Sequence, residues 1–208
     1  MELLECNRIG ILGGTFNPIH LGHLFIAENA RTEMNLDMIM FIPTGVPYMK
    51  NHKGILPPHI RMEMLEMSID SNPYFVTSDI EIKREGNTYT YETLEELKRL
   101  YPKAELFFIV GADCLFTIDK WYQPQRIFNN STLLATNRND FPQNELIKQK
   151  QALEKQFNAK VELLNIPQIE ISSTKVRENV KEGRSIRYMV ADSVHDFILQ
   201  NNFYREEE

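Results

Sequence analysis

Gly13-Gly14-Thr15-Phe16-Asn17-Pro18-Ile19-His20-Leu21-Gly22-His23 decides how the rest of this chain is read. Ile9-Gly10-Ile11-Leu12 precedes it, an apolar run of strand length bounded by glycine. Leu24-Phe25-Ile26-Ala27 and Ala30 follow it and fit the packed face of a helix. The stretch is therefore a strand-to-helix crossing with two imidazoles where the helix begins. Gly13 and Gly14 allow a sharp bend and a close approach to a ligand. The free N–H groups of a helix start favour an anion. His20 and His23, three residues apart, face the same way on a helical turn. Together these features point to phosphate chemistry. An ordinary glycine turn and packing or surface histidines are the competing readings. A metal centre lacks a nearby Cys or acidic third ligand, so no metal ligands are assigned.

The whole chain sets the bounds. Its 208 residues are enough for one domain, 1–208, with a sizeable core. Hydrophobic residues make up 42% and charged residues 25%, as in ordinary globular proteins. The formal net charge of −6 gives no global attraction to nucleic acid or an anionic membrane. Cys6 and Cys114 lie far apart and show no metal or disulfide spacing, so reduced, buried thiols in a cytoplasmic protein are expected. The first residues lack the pattern of a signal peptide. No apolar run approaches the ~18–20 residues needed to span a bilayer.

Strand and helix patterns alternate along the chain. Strands are predicted at residues 9–12, 38–42, 75–80, 106–110, 131–136 and 161–164, and helices around 61–69, 92–100, 145–157, 172–180 and 190–199. Thr90 or Thr93 begins the 92–100 helix. Such alternation implies an α/β fold, a parallel sheet with helices on both faces. Ligands in such sheets bind beyond the carboxyl ends of the strands. Chemistry-bearing residues follow those ends: 13–23, Lys50 and Lys53, 111–113, Arg138, and 172–177.

Several of these groups have two readings. In Ile171-Ser172-Ser173-Thr174-Lys175-Val176-Arg177, a hydroxyl caps the helix, or hydroxyls, amides and basic side chains hold a phosphate. Asp113 in Gly111-Ala112-Asp113 caps a helix or accepts hydrogen bonds from ribose hydroxyls. Trp121 packs in the core or, in a partly exposed loop, stacks on a flat ring. Lys50-Asn51-His52-Lys53 reads as a solvated basic loop.

The full strings resemble one family. Residues 13–23 resemble GGTF(D/N)PIHxGH of the HxGH nucleotidylyltransferases, in the long form seen in bacterial nicotinate-nucleotide adenylyltransferases. Residues 171–177 resemble the ISSTxIR motif, with Val176 for Ile. Residues 111–121 resemble GAD(S)xxxxxxW, with Cys114 for Ser. Residues 88–94 resemble SYTxDTL, with Glu92 for Asp. The matches run from residue 8 to about 200. The resemblance implies a Rossmann-like nucleotidylyltransferase fold. It implies that Gly13, Gly14, Thr15, Phe16, His20, His23, Gly111, Asp113, Arg138, Ser173, Thr174 and Arg177 bind ATP. It assigns Lys53, Thr90, Trp121 and Tyr122 to nicotinate mononucleotide, and chemistry to His20, His23, Lys53 and Arg177. Lys175 falls at the motif's variable position and is not assigned.

The implied reaction joins ATP and nicotinate mononucleotide to give deamido-NAD and pyrophosphate. Mg2+ is expected as a bridge between substrate phosphates rather than in a protein cage. Many members of the family form dimers, so a homodimer is compatible with the resemblance. The two end motifs also suit an adenylyltransferase acting on nicotinamide mononucleotide or phosphopantetheine, a cytidylyltransferase, or a non-catalytic nucleotide-binding protein. Tyr89-Thr90 and Trp121 favour the pyridine-nucleotide member.

Overall fold

The computed structural model describes residues 3–45, 54–137, 141–167 and 169–205. Its centre is a six-stranded parallel sheet: β1 (Arg8–Gly14), β2 (Met38–Pro43), β3 (Phe75–Thr77), β4 (Glu105–Gly111), β5 (Thr132–Asn137) and β6 (Val161–Asn165). Their spatial order is 3-2-1-4-5-6, the doubly wound order of dinucleotide-binding folds. Eight α-helices are described: α1 (Leu21–Glu33), α2 (Pro58–Ile69), α3 (Thr90–Leu100), α4 (Ala112–Leu115), α5 (Pro124–Asn130), α6 (Gln143–Phe157), α7 (Ser173–Lys181) and α8 (Asp192–Gln200). Among the described residues, no helix is long and apolar enough to cross a membrane.

Both sheet faces are buried, which is why the central strands read as continuous apolar runs. Ile9, Ile11, Met40, Phe108 and Leu133 share one core with Leu94, Leu115, Ile127 and Leu146 from α3 to α6. Their alternates, including Ile39, Phe41, Phe107, Ile109 and Leu134, pack with Ala27, Leu65, Val176 and Val194 from α1, α2, α7 and α8.

The structure corrects some sequence expectations. The strand predicted over 75–80 ends at Thr77. The β2–β3 ladder bonds Ile39 N–H to Tyr74 O and Ser78 N–H to Phe41 O. Its next donor on β2 would be Pro43, which has no N–H, so pairing stops there. The 92–100 helix begins at Thr90, not Thr93, with Tyr89 extended at its N-cap. The short helices α4 and α5 have too few residues to show periodicity. Cys6 is buried as expected, but Cys114 is only half-buried.

The topology opens a crevice. β1 and β4 pair only as far as Ile11 opposite Phe108. Beyond that point Leu12, Gly13 and Gly14 pair with β2 alone, while Ile109, Val110 and Gly111 pair with β5 alone. The strands part where strand order reverses, which is where such sheets bind ligands.

Candidate active site

Two walls of the crevice come from sequence-distant segments. The first is the β1–α1 crossing. Phe16 turns the chain with a positive φ of 47°. Its ring is 2% exposed and meets His23 edge-on at 5.0 Å between centroids. Phe16 thus supports His23 with its side chain, leaving its backbone for any ligand contact.

His20 and His23 do face the same way, by a geometry other than two successive helical positions. His20 is extended at the N-cap (φ −147°, ψ 166°), and His23 is the third helical residue. Their rings stack with centroids 3.6 Å apart. His20 N–H donates to His23 Nδ1 at 3.2 Å. Accepting there fixes the neutral ring's proton on Nε2, which becomes a hydrogen-bond donor. Gly22 makes the arrangement fit. A Cβ there would stand 3.0 Å from His20 Nδ1 and 3.4 Å from the carbonyl oxygen of Ile171.

The second wall is the start of α7. Ser172 is the cap, its Oγ accepting from Lys175 N–H at 3.1 Å, so the capping reading holds for that hydroxyl. Ser173 Oγ instead donates to Pro18 O at 2.8 Å, across 155 residues. Arg177 Nη1 donates to Asn17 O at 2.7 Å, and its Nη2 to Thr174 Oγ1 at 3.3 Å. The walls are therefore bonded to each other, and α7's N-terminal amides stand beside the histidine turn. Anions favour such a place.

The far side of the crevice is a cavity of about 390 Å³ whose lining includes Gly13, Gly14, Thr15, Thr90, Trp121 and Tyr122. Trp121 is half-buried and edge-on to Phe108 at 6.3 Å. Tyr122 is 59% exposed and lies 5.0 Å from Tyr89. The lining thus combines an indole, a phenol and the strand-end residues Gly13 and Gly14, surfaces suited to a flat aromatic ligand. Thr90, first residue of α3, has a backbone N–H of the kind a helix start leaves without an intrahelical acceptor.

Gly111 caps α4, and a Cβ there would come 2.5 Å from Asp113 Oδ1. Asp113 is therefore not the helix cap. Its exposed carboxylate folds back against Gly111, where it can meet ribose hydroxyls. Cys114 also borders the cavity, and burial, then the Asp113 charge, push its thiol up to about 11. The thiol is therefore protonated at pH 8, and its labelling by iodoacetamide should be roughly a hundredfold slower than for a free cysteine. Labelling at the free-thiol rate would contradict this environment.

Lys53 and Arg138, like Lys50, lie outside the described residues. Three contributors were not singled out from sequence. Glu81, 8% exposed, borders the cavity and accepts from Thr93 Oγ1 at 2.8 Å, while Arg84 Nη1 donates to Thr93 at 3.0 Å. Burial pushes its carboxyl up, against the Thr93 hydrogen bond and the Arg84 charge. Arg61, 1% exposed, donates to the carbonyls of Thr15 (2.7 Å), Thr44 (2.6 Å), Gly45 (3.2 Å) and Leu56 (3.0 Å). It ties the phosphate-type loop to the end of β2. Its position three and four residues before the buried Met64 and Leu65 was the available signal. Tyr204 is the third; its hydroxyl donates to Asn17 Oδ1 at 2.9 Å.

A family model described as cytidylyltransferase-like matches residues 11–179, which defines the class as a nucleotidyltransferase fold. A Lachnoclostridium phytofermentans protein named probable nicotinate-nucleotide adenylyltransferase is 41% identical, covering 95% of this chain and 98% of its own. A Clostridium botulinum protein of the same name is 44% identical, covering 96% and 99%. The chain belongs to the nicotinate-nucleotide adenylyltransferase family. The solved structure of Plasmodium falciparum nicotinic acid mononucleotide adenylyltransferase complexed with NaAD shares the fold. Its TM-score is 0.77 at 22% identity, over 95% of this chain and 97% of that one.

Proposed function

We propose that this chain transfers the AMP moiety of ATP to the phosphate of nicotinate mononucleotide, releasing pyrophosphate and forming deamido-NAD. The observation that carries the proposal is the joining of two subsites in one crevice. One is the His20–His23 turn bonded to the start of α7; the other is the cavity walled by Trp121, Tyr122 and the first turn of α3. Gly13, Gly14 and Thr15 lie between them.

The mononucleotide phosphate oxygen attacks the α-phosphorus of ATP, and pyrophosphate leaves in line. Both reactants are anionic, so the protein's task is to hold them together and offset charge. Positioning can contribute on the order of 7–11 kcal/mol in favourable cases. Oriented donors stabilise charge as it develops. His23 Nε2–H, His20, the α7 amides of Ser173 and Thr174, the Thr174 hydroxyl and Arg177 are the donors on the ATP side, the Ser173 hydroxyl being held by Pro18 O. Gly111 and Asp113 serve the adenosine. Thr90 meets the pyridine carboxylate, and Trp121 and Tyr122 flank the ring. The transfer needs no protein nucleophile. Mg2+ enters with ATP as part of the substrate, since hard cations take the phosphate oxygens. Lys53 and Arg138 keep the roles the family resemblance implies, on the phosphates and the adenine. The cytoplasm, which supplies ATP and keeps Cys6 and Cys114 reduced, is the compartment for this chemistry.

Pyrophosphate release with ATP against nicotinate mononucleotide, nicotinamide mononucleotide and phosphopantetheine in parallel tests the assignment. The nicotinate acceptor should give the highest kcat/KM. Turnover only with phosphopantetheine would overturn it. Trp121→Ala should raise KM for the mononucleotide roughly tenfold, since stacking on one aromatic residue contributes on the order of 1–3 kcal/mol. KM for ATP should hardly change. A change confined to ATP would sink the stacking role.

A further inference from the structure

Asn17 is bonded through both ends of its carboxamide and through its backbone carbonyl. Its Oδ1 accepts from the Tyr204 hydroxyl at 2.9 Å and from Leu56 N–H at 3.1 Å. Its Nδ2 donates to Gly54 O at 2.9 Å, and its backbone carbonyl accepts from Arg177 Nη1 at 2.7 Å. Asn17 is 4% exposed, so these bonds form away from water, where an ill-aimed polar group is costly.

Tyr204 reaches this place from 187 residues away. It lies beyond α8 in a turn where its own φ is 65°, a left-handed conformation that a tyrosine rarely adopts. Burial pushes its phenol well above the ordinary range, against the pull of the Arg177 and Arg61 charges, so the hydroxyl remains a donor. The turn brings a single polar atom of the C-terminal segment onto the carboxamide that fixes Asn17.

We infer that Tyr204 is a positioning residue for adenylyl transfer: through Asn17 it holds the backbone carbonyl that aims the Arg177 guanidinium at the ATP phosphates. The inference rests on the assignment of Arg177 to those phosphates. The order of action is Tyr204 hydroxyl, Asn17 carboxamide, Asn17 carbonyl, Arg177. Tyr204 itself touches no substrate. Arg61 supports the same node from the other side, because its Nε holds the carbonyl of Leu56, whose N–H meets Asn17.

A double-mutant cycle of Tyr204→Phe and Arg177→Lys tests it. Two quantities are read, kcat/KM for ATP and the Kd of a non-hydrolysable ATP analogue, so the cycle stays readable where turnover is slow. Tyr204→Phe keeps the buried ring and removes only the donor. In the wild-type background it should cost roughly three- to tenfold in kcat/KM for ATP, the factor of one ordinary hydrogen bond. KM for the mononucleotide should stay within about twofold, since no contact there is removed. In the Arg177→Lys background the further loss should fall below about 1.5-fold, because a residue acting through Arg177 couples to it. Equal losses in both backgrounds would overturn the inference. So would a lowered melting temperature with unchanged kinetics, which marks a purely structural tyrosine. If Arg177→Lys alone changes neither quantity, the underlying assignment of Arg177 to ATP fails instead.

Discussion

His23→Ala should lower kcat about 10²–10³-fold, the loss seen when one donor to a developing oxyanion is removed. The Kd for ATP should move by no more than about threefold, because the interaction strengthens chiefly in the transition state. The geometry behind this is specific. His23 Nδ1 accepts from His20 N–H, so the proton sits on Nε2. Phe16 meets the ring edge-on and His20 stacks on it, so its direction is set before substrate binds. His23→Asn separates two roles. Its short carboxamide can still accept from His20 N–H but reaches less far than the imidazole Nε2. It should keep most of the helix start and lose nearly as much kcat as alanine. Equal losses in kcat and in ATP affinity would count against a transition-state role.

Arg61→Met should cost about 3 kcal/mol or more of stability, seen as a melting temperature lower by roughly 6–12 °C for a chain of this size. Methionine keeps the buried volume but removes the donors to Thr15, Thr44, Gly45 and Leu56 carbonyls. No carboxylate pairs with Arg61 among the described residues, so its loss strands carbonyls rather than an opposing charge. Burial lowers the guanidinium's pKa, but it stays charged at neutral pH. Arg61→Lys should fall between the two, since an ammonium cannot reproduce the planar fork. A melting temperature within about 2 °C of wild type for Arg61→Met would show that water takes over those carbonyls.

The sequence carried the parts of this structure that depend on local pattern. Apolar runs near residues 9, 38 and 106 read as strands because both of their faces are buried. A hydroxyl cap was legible at Ser172 or Ser173, and Ser172 takes it because its side chain reaches Lys175 N–H, three residues on. What was not legible depends on contacts far apart in sequence. The two family motifs implied that both segments meet ATP, but not that Ser173 bonds Pro18 O or that Arg177 bonds Asn17 O. Arg61 and Tyr204 act on backbone carbonyls or a carboxamide, so no partner residue type announces them. Glu81 lies in a stretch of mixed charge, and only its bond to Thr93 on α3 sets it apart from the neighbouring acids. Strand β3 was overextended because the missing donor lies on its neighbour, at Pro43, 34 positions before Thr77 in number. Local pattern gives elements, whereas the aim of a functional group is set by whichever distant segment packs behind it.

The central claim is that this crevice moves an adenylyl group, and isotope tracing reads that most directly. The protein is incubated with ATP labelled at the α-phosphate, Mg2+ and nicotinate mononucleotide, and the products are separated. The label should appear in the dinucleotide, with unlabelled pyrophosphate released in equal amount. Label retained in ADP or AMP, with free phosphate or no dinucleotide formed, would contradict it.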